Sequence, residues 1–213
     1  MIAIIDYDAG NLRSVENALQ FIGEKSIITR DRKEILSADR VILPGVGSFG
    51  DAMEKLHRFE LIDTIKEVAD YKIPLLGICL GLQLLFQRSD ESPGVEGLCV
   101  LEGNIAAIPP KEGFKIPHMG WNSLQIKKGA ALFRVIKEIE GSKRCISQEM
   151  PYVYFVHSYY LKARNETDIA AETEYITDIH ASVEHENIFA CQFHPEKSGE
   201  TGLKILRNFC NIS

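Results

Sequence analysis

The sequence predicts an α/β fold: a central, mostly parallel mixed sheet flanked by helices, with a nucleophile elbow at Cys79. Three observations predict it. From Ile2 to Phe86, short apolar runs alternate with amphipathic stretches, the order of right-handed βαβ units and a parallel sheet. One of these runs, Leu75 to Ile78, leads straight into Gly77-Ile78-Cys79-Leu80-Gly81, a strand-to-helix bend whose glycines remove clashing Cβ atoms. After Tyr152 a series of short strand-like runs precedes one last helix, which makes the sheet mixed.

The elements follow in order. Ile2 to Ile5 is a buried-strand run that ends at Asp6, and Asp6 to Asn11 is a loop. Leu12, Val15, Leu19 and Ile22 then share one face of a helix. Ile27 to Thr29 and Val41 to Leu43 are the second and third strands, and the third runs into Pro44-Gly45-Val46-Gly47. Met53, Leu56, Leu61, Ile65 and Val68 predict one long amphipathic helix over 51–70. Leu75 to Ile78 is the fourth strand, and Leu82 to Phe86 reads as its following helix. Ser89 to Gly97 is polar loop, and residues 98–126 hold short strand-like pieces broken by Gly and Pro. Ala131 to Ile139 predicts a helix, and Glu140 to Met150 a surface loop. Tyr152 to Tyr159 is a strong strand signal. Ile169 to Thr173, His180 to Glu184 and Ile188 to Phe193 read as a meander, and Thr201 to Ile212 as the closing helix. No repeat or linker interrupts the pattern, so residues 1–213 read as one domain.

Composition narrows the classes. Apolar residues make up 45% and charged residues 25%, ordinary for a globular protein with a sizeable core. A net charge of −6, with no lysine and arginine cluster, argues against nucleic acid as a partner. No apolar run approaches the ~20 residues of a membrane span, and the start lacks a signal-peptide pattern. The five cysteines, Cys79, Cys99, Cys145, Cys191 and Cys210, show no zinc-ligand spacing. They read as reduced thiols of a cytoplasmic protein.

Three motifs carry chemistry. A sulfur at Cys79 would sit at a helix start, where free N–H groups and the helix dipole favour the thiolate. A buried structural cysteine between packing glycines fits the same pattern. In Gln192-Phe193-His194-Pro195-Glu196, residues two apart share a side of an extended chain, so His194 and Glu196 can form a base and its orienting carboxylate. A surface turn fits that tripeptide as well. Two glycines after a strand, in Pro44-Gly45-Val46-Gly47, let backbone N–H groups converge on an oxyanion, or simply make a turn.

Together these motifs resemble the triad, or class I, glutamine amidotransferases, over nearly the whole chain. Asp6-Tyr7-Asp8-Ala9-Gly10-Asn11-Leu12, Pro117-His118-Met119-Gly120-Trp121-Asn122, Tyr154-Phe155-Val156-His157-Ser158-Tyr159 and His194-Pro195-Glu196-Lys197-Ser198 narrow the likeness to the glutaminase subunits of imidazole glycerol phosphate synthases. Leu82 stands where methionine is common, a volume-conserving exchange, and the stretch 140–150 looks longer than usual.

The resemblance implies a fold and a mechanism. Cys79 attacks the glutamine side-chain amide, His194 protonates the departing ammonia and Glu196 orients His194. Val46, Gly47 and Leu80 supply the oxyanion site. Gly45, Gln83, Glu91, Ser158 and Tyr159 hold the substrate. A solvated helix residue is the plainer reading of Gln83, and a loop charge that of Glu91. The resemblance calls for no metal or cofactor. It implies a heterodimer with a separate (β/α)8 synthase subunit, which uses the ammonia in histidine biosynthesis to make imidazole glycerol phosphate and aminoimidazole carboxamide ribotide. Asn11, Met119, Trp121 and Lys197 would face that subunit, although a lone tryptophan in a strand is often core. A free-standing cysteine hydrolase of γ-glutamyl amides and a non-catalytic regulatory homologue are the alternatives.

Overall fold

The computed structural model describes residues 1–134 and 150–212. The predicted helix at 131–139 is therefore described only at its start, where Ala131–Phe133 is a single 3₁₀ turn. The rest of it, the loop at 140–149 and Cys145 lie outside the described residues.

The largest sheet contains eight strands among the described residues, in the order β2-β1-β3-β4-β13-β12-β11-β8. These are β1 (Ile2–Ile5), β2 (Ser26–Thr29), β3 (Arg40–Leu43), β4 (Leu75–Ile78), β8 (Gln125–Ile126), β11 (Ile169–Tyr175), β12 (Thr177–His185) and β13 (Ile188–Cys191). Pairing is parallel from β2 to β13 and antiparallel from β13 to β8. The central strands are buried along their length, so both faces need cover. Alternation divides the cover. Ala3, Ile5, Val41, Leu43 and Leu75 join one core with α2 (Arg32–Leu36), α3 (Phe49–Arg58) and α4 (Leu61–Asp70). Ile2, Ile4, Ile42, Leu76 and Ile78 join the other with α1 (Leu12–Phe21) and α6 (Gly199–Cys210). Truncating Phe209 of α6, wholly buried there, to Ala would cost ~3–5 kcal/mol.

Two smaller sheets are found besides it among the described residues. In one, β10 (Tyr159–Ala163) pairs β6 (Gly103–Ala107), which pairs β5 (Arg88–Ser89); in the other, β7 (His118–Ser123) pairs β9 (Tyr152–His157) antiparallel.

Several predicted boundaries shift by a few residues, among them the closing helix, which spans Gly199–Cys210, and three elements change more. The long helix over 51–70 is two helices, broken at Phe59 and Glu60, where Glu60 turns left-handed at φ 55°. Lys55, His57 and Arg58 end α3, and Asp63 opens α4, the charge order that two helix dipoles favour. The helix after Cys79, α5, spans Leu80–Leu84 rather than starting at Leu82. The predicted strand 152–159 divides at Ser158 into β9 and β10. Helix α2 was not anticipated. It is too short for a periodicity, but Asp31 caps it by accepting from the N–H of Lys33 and Glu34 at 2.9 and 3.0 Å, a local signal.

Candidate active site

The site forms where β4 and β13 run parallel side by side. The Cys79 N–H donates to Cys191 O at 2.8 Å, extending their ladder past the end of β4. The chain then turns sharply, with Cys79 at φ 54° and ψ −107°, a conformation that costs a residue with a side chain ~1–3 kcal/mol. Glycine permits the turn. A Cβ on Gly81 would lie 1.9 Å from Leu43 O at the end of β3, and one on Gly77 would lie 2.9 Å from Gly81 O. The elbow is wedged against its neighbour strand, and the sulfur is held at the mouth of α5.

His194 and Glu196 follow β13. Their segment is tied down twice: His194 N–H donates to Tyr154 O at 3.0 Å, and Ser198 Oγ donates to His194 O at 2.6 Å while accepting from Tyr154 N–H at 2.9 Å. His194 Nδ1 lies 2.8 Å from Glu196 Oε1, and both side chains are 0% exposed. Because the carboxylate accepts, Nδ1 carries the proton and Nε2 is left for the sulfur side. Nε2 is buried and makes no hydrogen bond. Burial disfavours the charged imidazolium, but Cys79 and the Glu196 carboxylate beside the ring outweigh it and raise the His194 pKa to about 9.

A cavity of about 350 Å³ opens over these groups, at the small end of the ~300–1,000 Å³ usual for ligand sites. Val46, Gly47, Cys79, Leu80, Gln83, Glu91, Ser158, Tyr159 and His194 all line it. Gly47 has φ 102°, open to glycine and strained for other residues. As the first residue of α5, Leu80 has no intrahelical partner for its N–H.

Other predicted site residues fall differently. Gly45 does not line the cavity. It is packed where a Cβ would meet Tyr7 Oη at 2.4 Å, and Tyr7 Oη donates to Pro44 O at 2.8 Å. Glu91 lines the cavity but also accepts from Phe49 N–H at 2.7 Å, holding the start of α3 just after the Val46–Gly47 loop. Gln83 is buried, not solvated. Its amide nitrogen donates to Tyr159 O at 3.2 Å and to Gln192 Oε1 at 3.0 Å. Glu196 sits behind His194. Asn11 is 5% exposed and donates to Glu196 Oε1 at 3.3 Å, so its side chain supports the carboxylate instead of facing outward as expected. Met119 and Trp121 share the outer face of β7 at 62% and 56% exposure, and Lys197 is exposed; the core reading of Trp121 does not hold.

Gln192 and His157 were missed. Gln192 Nε2 lies 3.7 Å from Cys79 Sγ, and His157 lines the cavity. The two-residue spacing read from the sequence for His194 and Glu196 also applies to Gln192 and His194, which could have flagged it, although in the structure Pro195–Lys197 is a 3₁₀ turn rather than extended chain. Among the described residues, no group of three or more His, Cys, Asp or Glu side chains could hold a metal ion.

Comparison with known proteins gives the family. The family model Glutamine amidotransferase class-I matches residues 3–212. An imidazole glycerol phosphate synthase subunit HisH from Caldanaerobacter subterraneus subsp. tengcongensis is 49% identical over 98% of this chain and 97% of its own. That from Methanocaldococcus jannaschii is 46% identical over all of both chains. A crystal structure of a glutamine amidotransferase superposes with a TM-score of 0.71 at 16% identity, covering 99% of this chain and 100% of its own. PurLQS from Thermotoga maritima gives 0.71 at 19%, covering 99% and 97%; these two show the fold. The chain belongs to the class-I glutamine amidotransferases, among the HisH subunits of imidazole glycerol phosphate synthase.

Proposed function

We propose that residues 1–213 act as one domain that hydrolyses L-glutamine to L-glutamate and ammonia at Cys79. The carrying observation is the fully buried His194–Glu196 pair at 2.8 Å, set beside a strained cysteine in a small cavity. The Cys79 thiolate attacks the glutamine γ-carbonyl. Backbone N–H groups of Leu80 and the Val46–Gly47 loop receive the oxyanion. His194 gives its proton to the leaving ammonia, Glu196 holds the ring, and water then cleaves the thioester. The Ser158–Tyr159 backbone, Gln83 and Glu91 border the space left for the amino-acid end of the substrate, and Gly45 braces the loop beside them.

The ammonia then passes to a separate (β/α)8 synthase subunit, docked over Met119, Trp121 and Lys197, that makes imidazole glycerol phosphate and aminoimidazole carboxamide ribotide in histidine biosynthesis. Two large exposed apolar side chains on one strand face support that reading, because exposed aromatic anchors suit an interface. Asn11 reaches the same assembly only through Glu196. Free thiols at Cys79, Cys99, Cys191 and Cys210 suit a reducing compartment, and we place the chain in the cytoplasm. The Gly47 backbone lets the oxyanion loop adopt more than one peptide orientation, so partner binding selects the productive one.

The test is glutamine turnover by the chain alone, with the synthase subunit, and with synthase plus its ribonucleotide. We expect a poor glutaminase alone and strong activation in the last case. Equal turnover in all three favours the free-standing hydrolase. Cys79→Ala should abolish turnover while free ammonia still supports synthesis, and a Cys79→Ala chain that still hydrolyses glutamine removes the mechanism.

A further inference from the structure

An unbroken line of buried and part-buried hydrogen bonds crosses the molecule from β7 to the nucleophile. Asn122 Nδ2 lies 3.3 Å from His118 Nε2, and His118 Nδ1 lies 3.0 Å from His157 Nε2. His157 Nδ1 lies 2.9 Å from Tyr159 O. Gln83 Nε2 donates to the same carbonyl and to Gln192 Oε1, and Gln192 Nε2 faces Cys79 Sγ at 3.7 Å. His118 and His157 sit directly opposite each other across the β7–β9 ladder.

The direction of the line is fixed by one group that cannot reverse. The Tyr159 carbonyl only accepts. His157 must therefore carry its proton on Nδ1, leaving Nε2 to accept from His118 Nδ1–H. His118 Nε2 then accepts from the Asn122 amide. On the other side, Gln83 must turn its nitrogen to the carbonyl, because a flip would set oxygen against oxygen. Its second hydrogen requires Gln192 Oε1, and that sends the Gln192 N–H toward the sulfur. Both imidazoles are neutral, as this pattern needs. Burial takes His118 down to about 4. Burial also takes His157 down to about 3, helped by His118 and His194 against the pull of the Tyr159 carbonyl. The His118 ring is clamped between Phe155 at 4.7 Å and Tyr175 at 4.0 Å, so its nitrogens cannot wander.

We propose that this line makes Gln192 a donor to the Cys79 nucleophile, with Gln83 keeping the Gln192 amide turned N–H toward sulfur, and with His157, backed by His118, as positioning residues that hold the Tyr159 carbonyl to which Gln83 donates. The inference rests on Cys79 being the nucleophile and deepens the reading above. A hydrogen bond from an amide favours the charged form of its acceptor, so the donor holds sulfur in its attacking form. Among the described residues, Cys79 acts on the ionisable groups His194, Tyr7 and Cys191, and none of them is substituted below.

The experiment is alkylation of the full chain by iodoacetamide from pH 6 to 10, with peptide mapping to separate Cys79 from the other cysteines. Gln192→Met keeps the length of the side chain and drops the donor. Its Cys79 alkylation at pH 7 should slow about tenfold, with the deficit narrowing as the pH is raised to 10. Gln192→Glu should be slower still, because a carboxylate opposes a thiolate. His118→Phe keeps the ring stack and loses the Nδ1–H donor; it should slow alkylation about two- to threefold, the smaller effect expected five hydrogen bonds away from the sulfur. Deficits that persist undiminished at pH 10 mean altered access rather than a lost donor, and overturn the proposal. So does wild-type alkylation in Gln192→Met, or in His118→Phe if Gln192→Met fails to fold. Alkylation needs no glutamine, so the order Gln, Met, Glu survives even if glutamine is not the substrate.

Discussion

His194 and His157 border one cavity and are both buried, yet the ends of β13 and β9 hold them in opposite charge states. Burial pushes each imidazole toward its neutral form. What differs is the partners. His194 meets Cys79 on one side and a carboxylate at 2.8 Å on the other, and rises to about 9; His157 meets a carbonyl and another imidazole and falls to about 3. A dipole orients a ring, whereas a full negative charge also stabilises its proton. One short stretch, His-Pro-Glu, thus makes an acid, and another, His-Ser-Tyr, makes a fixed spacer.

The strongest way to break this contrast is to remove the charge and keep the shape. Glu196→Gln leaves an acceptor for His194 Nδ1–H but no negative charge. We expect glutamine turnover, measured with the synthase and its ribonucleotide present, to fall about 10²–10⁴-fold, the usual contribution of a positioned acid. The His194 titration, followed by NMR, should drop from about 9, because one of the two groups that raise it is gone while Cys79 remains. A Glu196→Gln chain with near-normal turnover would mean that orientation suffices and charge does not matter.

The contrast also sets a pH profile. His194 must be protonated to release ammonia, so its contribution persists up to about pH 9 and is lost above it, tenfold per unit. His157 and His118 stay neutral at every pH above about 4, so neither bends the profile near neutrality. The expected curve is flat from pH 6.5 to 8 and falls beyond 9. An inflection near 6.5 in initial rates would show an ordinary histidine as the acid.

How much of this was legible in the sequence depends on the range of the interactions. The succession of strands and helices in the first half was readable because each strand there holds an apolar run and each long helix has a periodic face. The elbow was readable because only glycine fits beside Leu43 O. The helix break was not, since a glutamate at φ 55° leaves no residue-type signal; only the change from basic to acidic residues around Phe59 marks it. Asn11 and Gln83 were noticed as polar residues near the site, but their partners lie 185 and 76 residues away. No local pattern specifies those contacts, and Asn11 was accordingly expected on the wrong side of the chain.

The smallest effect is on stability, and it separates the two histidine sites by sign. In the unfolded chain every imidazole takes up a proton below about pH 6.5. His118 and His157 resist doing so in the fold until about 4 and about 3. Between those limits the unfolded chain binds more protons, so stability falls as the pH drops, by up to about 1.4 kcal/mol per unit for each ring. His194 behaves the other way. Its pKa is raised in the fold, so its stabilisation is complete below about 6.5 and is lost as the pH rises through about 9. The acid limb of the stability curve therefore belongs in part to the β7–β9 pair and the alkaline limb to the β13 turn. Urea midpoints at pH 5, 6, 7 and 9.5 would resolve them. His118→Phe should flatten the acid limb and leave the alkaline limb alone, while Glu196→Gln should flatten the alkaline limb. If His118→Phe keeps the wild-type slope between pH 5 and 6.5, His118 is not the neutral group the fold protects, and the link to His157 loses its fixed direction.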